Sequence, residues 1–343
     1  MNVVVTIQHP AHVHFFKNAI RELAVDESVY VFVRENDIAT DLLTEYGIEH
    51  EVLAGRSDSF LQLARTQLRY ERRLLERARQ IEPDVMAAIG EPGVAHVSRA
   101  VGSTSLVFTD TEHATLQNAL AFPFSHRIYT PTCYKDSIGD KQIEYPGYHE
   151  LAYLHPERFD PDPSILSEID ATEDETLVIM RLVSWDAAHD VGNSGFDGVH
   201  EVVSRLEAEG ARVLITSESR LPPSLERCRI TVAPHRVHHL MYYADLFIGE
   251  SPTMATESAV LGTPAIYISS IELGYVDEIS DEYGLIFNFY SENREHNGLR
   301  KAVAILSDDS PTKWERRREA LLEAKLDTTS FMLDEIYNAG RSK

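Results

Sequence analysis

Cysteine is nearly absent from this chain of 343 residues: Cys133 and Cys228 stand far apart, each without a second thiol nearby. That excludes a disulfide framework and a cysteine zinc site. Lysine is scarce as well, with seven among 32 basic residues. No apolar run approaches the roughly 18 residues that a membrane-spanning helix requires. A basic leader with an apolar signal core is also missing, since Asn2–Ile7 enters a strand pattern directly, and the expected location is the cytoplasm. Low-complexity blocks are missing too. With 25% charged and 43% hydrophobic residues the chain reads as globular, and its length suits two domains of about 150 residues each.

Acidic residues outnumber basic ones 55 to 32, for a formal net charge of −23. The cation deficit falls on lysine, and the combination suggests a salt-in halophile, because such self-repulsion is tolerable where molar salt shortens the Debye length to about 3 Å. Nucleic acid is not an expected partner, because phosphate-backbone binding needs a basic face and weakens steeply with salt.

Apolar periodicity alternates strand and helix from the start. Strands are expected at 3–7, 29–33, 48–53, 84–89 and 105–109, with helices at 13–23, 38–46, 60–81 and about 94–101. Parallel βαβ units follow from that order. Cys133–Thr172 contains Pro146, Pro156, Pro161 and Pro163 with little periodicity, as in a linker. A second series then places strands at 176–181, 212–216, 229–233, 246–248 and 265–268, and helices at 196–209, 237–243 and 253–261. The expected domains are 1–155, 156–318 and a helical tail 319–343 that packs back on the first. Ligands of doubly wound sheets lie at the carboxyl ends of the strands, which directs attention to the loops there.

The sharpest signal is A-D-L-F-I-G-E-S-P-T-M-A-T-E-S-A-V-L-G-T-P-A-I-Y, from Ala244. Ser251 is a good N-cap, Pro252 suits the first helical position, and Thr253 and Met254 follow, so the loop presents an anion-binding helix start. Glu257, one turn on, could accept hydrogen bonds from a ribose diol, or could simply favour the helix dipole. This run resembles the nucleotide-sugar-binding segment of GT-B glycosyltransferases and of non-hydrolysing UDP-N-acetylglucosamine 2-epimerases, with Asp245, Ile248, Glu257, Gly262 and Pro264 matching. Ser251-Pro252 replaces the usual glycine pair.

Across its length the chain also resembles an uncharacterised archaeal family of GT-B-like proteins, a domain of unknown function. The match runs through H-P-A-H-V-H-F-F-K-N (9–18), F-T-D-T-E-H-A (108–114), P-G-Y-H-E-L-A-Y-L (146–154) and R-L-V-S-W-D-A-A-H-D (181–190). The resemblance implies an α/β GT-B-like fold of two doubly wound, Rossmann-like domains with an interdomain cleft, and a sugar-nucleotide ligand.

Other strand ends supply further candidates. His9, His12 and His14 follow the first strand, and His12 matches the acceptor-side histidine of similar transferases; capping or packing is the plainer reading. Glu91, Asp110 and Glu112 follow two later strands, where converging carboxylates could exchange protons as in the 2-epimerases, or merely cap helices. The epimerase context H-V-E-A-G-L-R is absent. Arg181 suits a diphosphate, with Ser184 after it, and Ser217 and His235 are possible base contacts. Helix 60–81 carries six arginines against Glu71 and Glu76, a candidate peripheral membrane face or an ordinary solvated helix. The expected function is a metal-independent GT-B-type glycosyltransferase without a cofactor, using a nucleotide-diphosphate sugar and a glycan or lipid-linked acceptor, in the cytoplasm or at the inner membrane face. The alternatives are a sugar-nucleotide 2-epimerase and a non-enzymatic sugar-nucleotide or glycan-binding protein.

Overall fold

A computed structural model describes residues 1–34, 37–55, 60–182, 198–217, 220–308 and 311–341. They form two α/β units, Met1–Arg158 with Lys325–Lys343, and Phe159–Ala324.

The first unit alternates β1 (Asn2–Ile7), α1 (Pro10–Leu23), β2 (Ser28–Arg34), α2 (Asp37–Glu45), β3 (Glu51–Ala54), α3 (Phe60–Ile81), β4 (Val85–Ile89), α4 (Pro92–Val101), β5 (Thr104–Phe108), α5 (Thr115–Ala121), β6 (Arg127–Pro131), β7 (Gln142–Tyr145) and α6 (Leu151–Leu154). Its seven strands pair in the order β3-β2-β1-β4-β5-β6-β7, all parallel. A parallel sheet is covered on both faces, which is why β1 and β4 are apolar runs rather than alternating ones: Val3, Val4, Val5, Met86, Ala87 and Ala88 are all buried. Strand order reverses between β1 and β4, so their carboxyl ends form a switch point where a ligand crevice is expected.

The proline-rich stretch is not a linker. Residues 133–158 belong to the first unit, contribute β7 and α6, and bury Tyr145, Tyr148 and Tyr153. Pro146 follows the last residue of edge strand β7, where a missing N–H costs the sheet nothing. The C-terminal helix of the chain completes this unit. Its Thr328 and Thr329 hydroxyls donate to the carbonyls of Tyr148 and Ala152, both at 2.7 Å. Phe331 stacks on Tyr145 at 4.9 Å between centroids.

The second unit runs α7 (Ser164–Glu168), β8 (Leu177–Leu182), α8 (Val199–Ala208), β9 (Arg212–Ser217), α9 (Val237–Tyr242), β10 (Leu246–Gly249), α10 (Pro252–Leu261), β11 (Ala265–Ile268), α11 (Gly274–Glu278), β12 (Ile286–Phe289), α12 (Arg294–Leu306) and α13 (Pro311–Ala324); the helix that closes the first unit is α14 (Thr328–Arg341). Five parallel strands pair as β12-β11-β10-β8-β9. The strand expected at 229–233 is reduced to a single bridge between Ile215 and Arg229. None of that run is fully buried and Pro234 turns the chain into a short helical turn, so it lacks the burial that would hold a sixth strand. Order reverses between β8 and β10, the second switch point.

Candidate functional site

In the first unit, His9 caps α1 by accepting from the Ala11 amide at 3.2 Å, and Pro10 begins the helix. The cap carries His12 onto the first turn, close to the carboxyl end of β1. His12 is half-buried, and loss of water around the ring, with His9 and His149 nearby, pushes its pKa down to about 3 against the pull of Asp110. Its imidazole is neutral at any ordinary pH.

Asp110 follows β5 and meets His149, whose Nδ1 lies 3.0 Å from Asp110 Oδ2. Burial works to raise the aspartate pKa, but His149 and the Thr111 hydroxyl, donating at 2.8 Å, hold it below the ordinary carboxylate value. His149 is 7% exposed, packs against Phe15 at 4.5 Å between centroids, and its Nε2 has no hydrogen-bond partner among the described residues. A carboxylate on one ring nitrogen orients the imidazole and leaves the other nitrogen for proton transfer.

Glu91 sits at the N-cap of α4, 1% exposed, and accepts from the Thr6 hydroxyl of β1. Burial raises its pKa to about 7, against hydrogen-bonding pull from Thr6. Gly93 makes room for it: a Cβ there would stand 2.8 Å from Glu91 Oε1. Tyr70 and Gln8 also face this buried carboxyl, and their side-chain hydrogen bonds, like that of Thr6, work to lower its pKa. The three carboxylates therefore have separate environments. Glu91 belongs to Thr6, Asp110 to His149, and Glu112 accepts from the Lys135 amide at 3.2 Å.

In the second unit, Ser251 caps α10, its Oγ accepting from the Met254 amide at 3.2 Å, with Pro252 in the first turn. The Ala255 amide goes to Ser251 O at 3.0 Å. Pro252 brings no N–H, which concentrates any anion contact on Thr253. Arg181 lies beside this loop on β8, in register with Gly249 and Thr216, and donates to Thr216 Oγ1 at 3.1 Å. Gly249 is required by the approach of the two strands, since a Cβ would lie 2.7 Å from Arg181 O. Ser217 ends β9 and His235 stands half-buried in the turn before α9. Ser184 lies outside the described residues.

Glu257 points inward. It is 5% exposed, and His238 Nε2 of α9 lies 2.8 Å from its Oε1. Two residues of the site were not singled out in the sequence. His149 stands in P-G-Y-H-E-L-A-Y-L, without a strand end to mark it; His238 looks like a core histidine on the apolar face of α9, and only its partner makes it notable. Among the described residues no group of three or more His, Cys, Asp or Glu is placed to hold a metal ion, and no helix is long and apolar enough to cross a membrane.

A family model described as a protein of unknown function (DUF354) matches residues 1–341. The chain belongs to that family. An uncharacterized protein of Methanocaldococcus jannaschii is 21% identical over 341 residues, covering 92% of this chain and 97% of that one. Among solved structures, the UDP-GlcNAc 2-epimerase of Neisseria meningitidis bound to UDP-GlcNAc superposes with a TM-score of 0.68 at 11% identity, over 98% of this chain and 99% of that one. The glycosyltransferase VinC in complex with dTDP superposes with a TM-score of 0.66 at 12% identity over 100% of both chains. The DUF354 chain thus has a GT-B-like fold, with two parallel sheets flanked by helices.

Proposed function

We propose that this protein is a GT-B-type glycosyltransferase that takes a nucleotide-diphosphate sugar as donor and needs no metal. The observation that carries the reading is the Asp110–His149 pair, whose buried Nε2 has no hydrogen-bond partner among the described residues. A transferase must deprotonate an incoming hydroxyl, and a carboxylate-oriented imidazole is suited to that task. The acceptor O–H proton passes to His149 Nε2, the acceptor oxygen bonds to the anomeric carbon, and the bond from that carbon to the diphosphate oxygen breaks. The released nucleoside diphosphate carries the negative charge, which Arg181 and the start of α10 would stabilise. His12, with its pKa near 3, is too weak a base for this role and acts as a neutral neighbour. Peripheral membrane contact through α3 belongs to the same reading, since Arg65, Leu68, Arg69 and Arg72 are exposed at helical spacing. Arg72, Arg73 and Arg77 are meanwhile engaged by Glu76, the Leu53 carbonyl and Glu51.

The second reading is a sugar-nucleotide 2-epimerase, favoured by Glu91, whose pKa of about 7 suits proton exchange at a sugar carbon. Incubation with UDP-N-acetylglucosamine alone separates the two: epimer formation without acceptor supports the epimerase, and nucleoside diphosphate release that depends on an added acceptor supports the transferase. His149→Asn should lower the acceptor-dependent rate by roughly 10²- to 10⁴-fold while leaving UDP affinity unchanged. An undiminished rate would remove His149 as the base.

A further inference from the structure

Eight large apolar side chains are exposed among the described residues, and three of them fall together: Leu116 at 69%, Leu120 at 48% and Phe124 at 45%. Leu116 and Leu120 stand one turn apart on α5. Helical hydrogen bonding runs on past the end of α5, with the Phe122 amide on Asn118 O at 2.9 Å and the Ser125 amide on Ala121 O at 3.0 Å, so Phe124 continues the stripe by a further turn. The next flank of the helix differs. Thr115, Ala119 and Phe122 face the turn that carries Asp136 and Asp140, roughly 100° round the helix from the leucines.

The turn that ends the stripe has its carbonyls satisfied by two cations. Lys141 Nζ donates to the carbonyls of Phe122 and Pro123 at 3.2 and 2.7 Å, and Arg99 Nε donates to that of Phe124 at 2.7 Å. Backbone carbonyls that enter a region poor in water need such partners. An apolar stripe backed by an ammonium and a guanidinium, in a chain of net charge −23, matches a surface that is apolar within and anionic at its edge, which is a phospholipid leaflet. A second copy of the chain fits less well. At about 200 Å² per large side chain the three exposures amount to roughly 300 Å², against about 800 Å² per partner in a stable dimer. A two-fold dimer would also gather Arg99 and Lys141 of both copies in one interface.

We propose that the first unit docks on a lipid surface through this stripe, with Leu116, Leu120 and Phe124 in the acyl boundary and Arg99 and Lys141 at the depth of the headgroup phosphates. An apolar face that sinks about 5–10 Å into that boundary needs no spanning helix. The contact differs in kind from that of the α3 arginines, because apolar insertion survives molar salt whereas charge attraction is screened there. Its role rests on the transferase reading, in which α5, beginning just after the loop that carries Asp110, would bring a lipid-linked acceptor to the imidazole–carboxylate pair. Its chemistry rests on the stripe alone.

The test is flotation of the full chain in molar KCl with mixed vesicles of phosphatidylcholine and phosphatidylglycerol, alongside light scattering without vesicles and calorimetry with UDP. Wild-type protein is expected to float. The combined variant Leu116→Ser, Leu120→Ser and Phe124→Ser should bind vesicles at least about tenfold more weakly, with melting temperature and UDP affinity unchanged because all three positions are exposed. Phe124→Trp should float like wild type, and its added fluorescence should be quenched by brominated acyl chains, which reports the depth of the turn. Wild-type protein that stays with the soluble fraction, capture confined to lower salt, capture undiminished in the serine variant, or unquenched added fluorescence in Phe124→Trp each overturns the proposal. A wild-type dimer that the serine variant abolishes assigns the stripe to a second copy and overturns it as well. UDP binding without flotation removes the docking and leaves the transferase reading standing, whereas flotation without nucleotide binding keeps the docking and removes the transferase role.

Discussion

Replacing Glu91 with glutamine isolates one buried proton. The carboxyl is 1% exposed and its pKa rises from the ordinary 4.5 to about 7, chiefly because burial disfavours the charged form. In the unfolded chain it titrates near the ordinary value. The folded state therefore binds more protons than the unfolded state between the two values, and stability from this group is complete below pH 4.5 and lost as pH rises through about 7. At about 1.4 kcal/mol per pKa unit, the shift corresponds to roughly 3 kcal/mol between the acid and alkaline limits. Glutamine keeps the shape and cannot titrate, so Glu91→Gln should flatten that slope and gain on wild type by about this amount above pH 8. The assay is urea unfolding of both proteins from pH 5 to pH 8 at constant molar KCl, so that the other carboxylates cancel in the difference. The infrared C=O stretch of a protonated carboxylic acid, present at pH 6 in wild type and missing from the variant, locates the proton independently. Parallel stability profiles with no such band would refute the buried neutral acid, and with it the epimerase reading that uses it.

Glu257→Leu should destabilise the second unit by about 1–3 kcal/mol, because His238 loses its buried partner, whereas Glu257→Gln retains an acceptor and should melt within a degree or two of wild type. If Glu257 also contacts ribose, calorimetry with UDP will show Glu257→Gln weaker by roughly 10- to 150-fold; unchanged affinity confines it to the core pair. Lowering KCl from molar to about 50 mM should unfold the protein by circular dichroism, as self-repulsion at a net charge of −23 loses its screening; a flat signal would end the halophile reading. Charge reversal at Arg65, Arg69 and Arg72 should reduce flotation with anionic liposomes at the lowest salt that preserves the fold, and wild-type protein that never floats would leave α3 a solvated helix.

Local patterns carried much of the fold because they depend on neighbours in the chain. The Ser251-Pro252 start of α10, its Gly262 stop in the left-handed region at φ 97°, and the apolar runs of β1 and β4 are all written in contiguous residues. The same is true of the Pro10 start of α1, which made the loop after β1 a place to look. Proline-rich 133–158 misled for the complementary reason. Its tyrosines are held by α14, more than a hundred residues later, and nothing nearby signals that packing.

By itself, then, the sequence determined the alternation of strands and helices, the two-sheet architecture, the acidic surface and the strand ends that bear polar side chains. Tertiary structure decided which of those side chains meet. Asp110 and His149 come together only when β5 and the segment before α6 share one unit, and Glu257 is turned from a surface cap into a core acceptor by His238 of the preceding helix. Pairing energies and pKa values depend on distance and burial through space, and neither quantity is encoded in spacing along the chain.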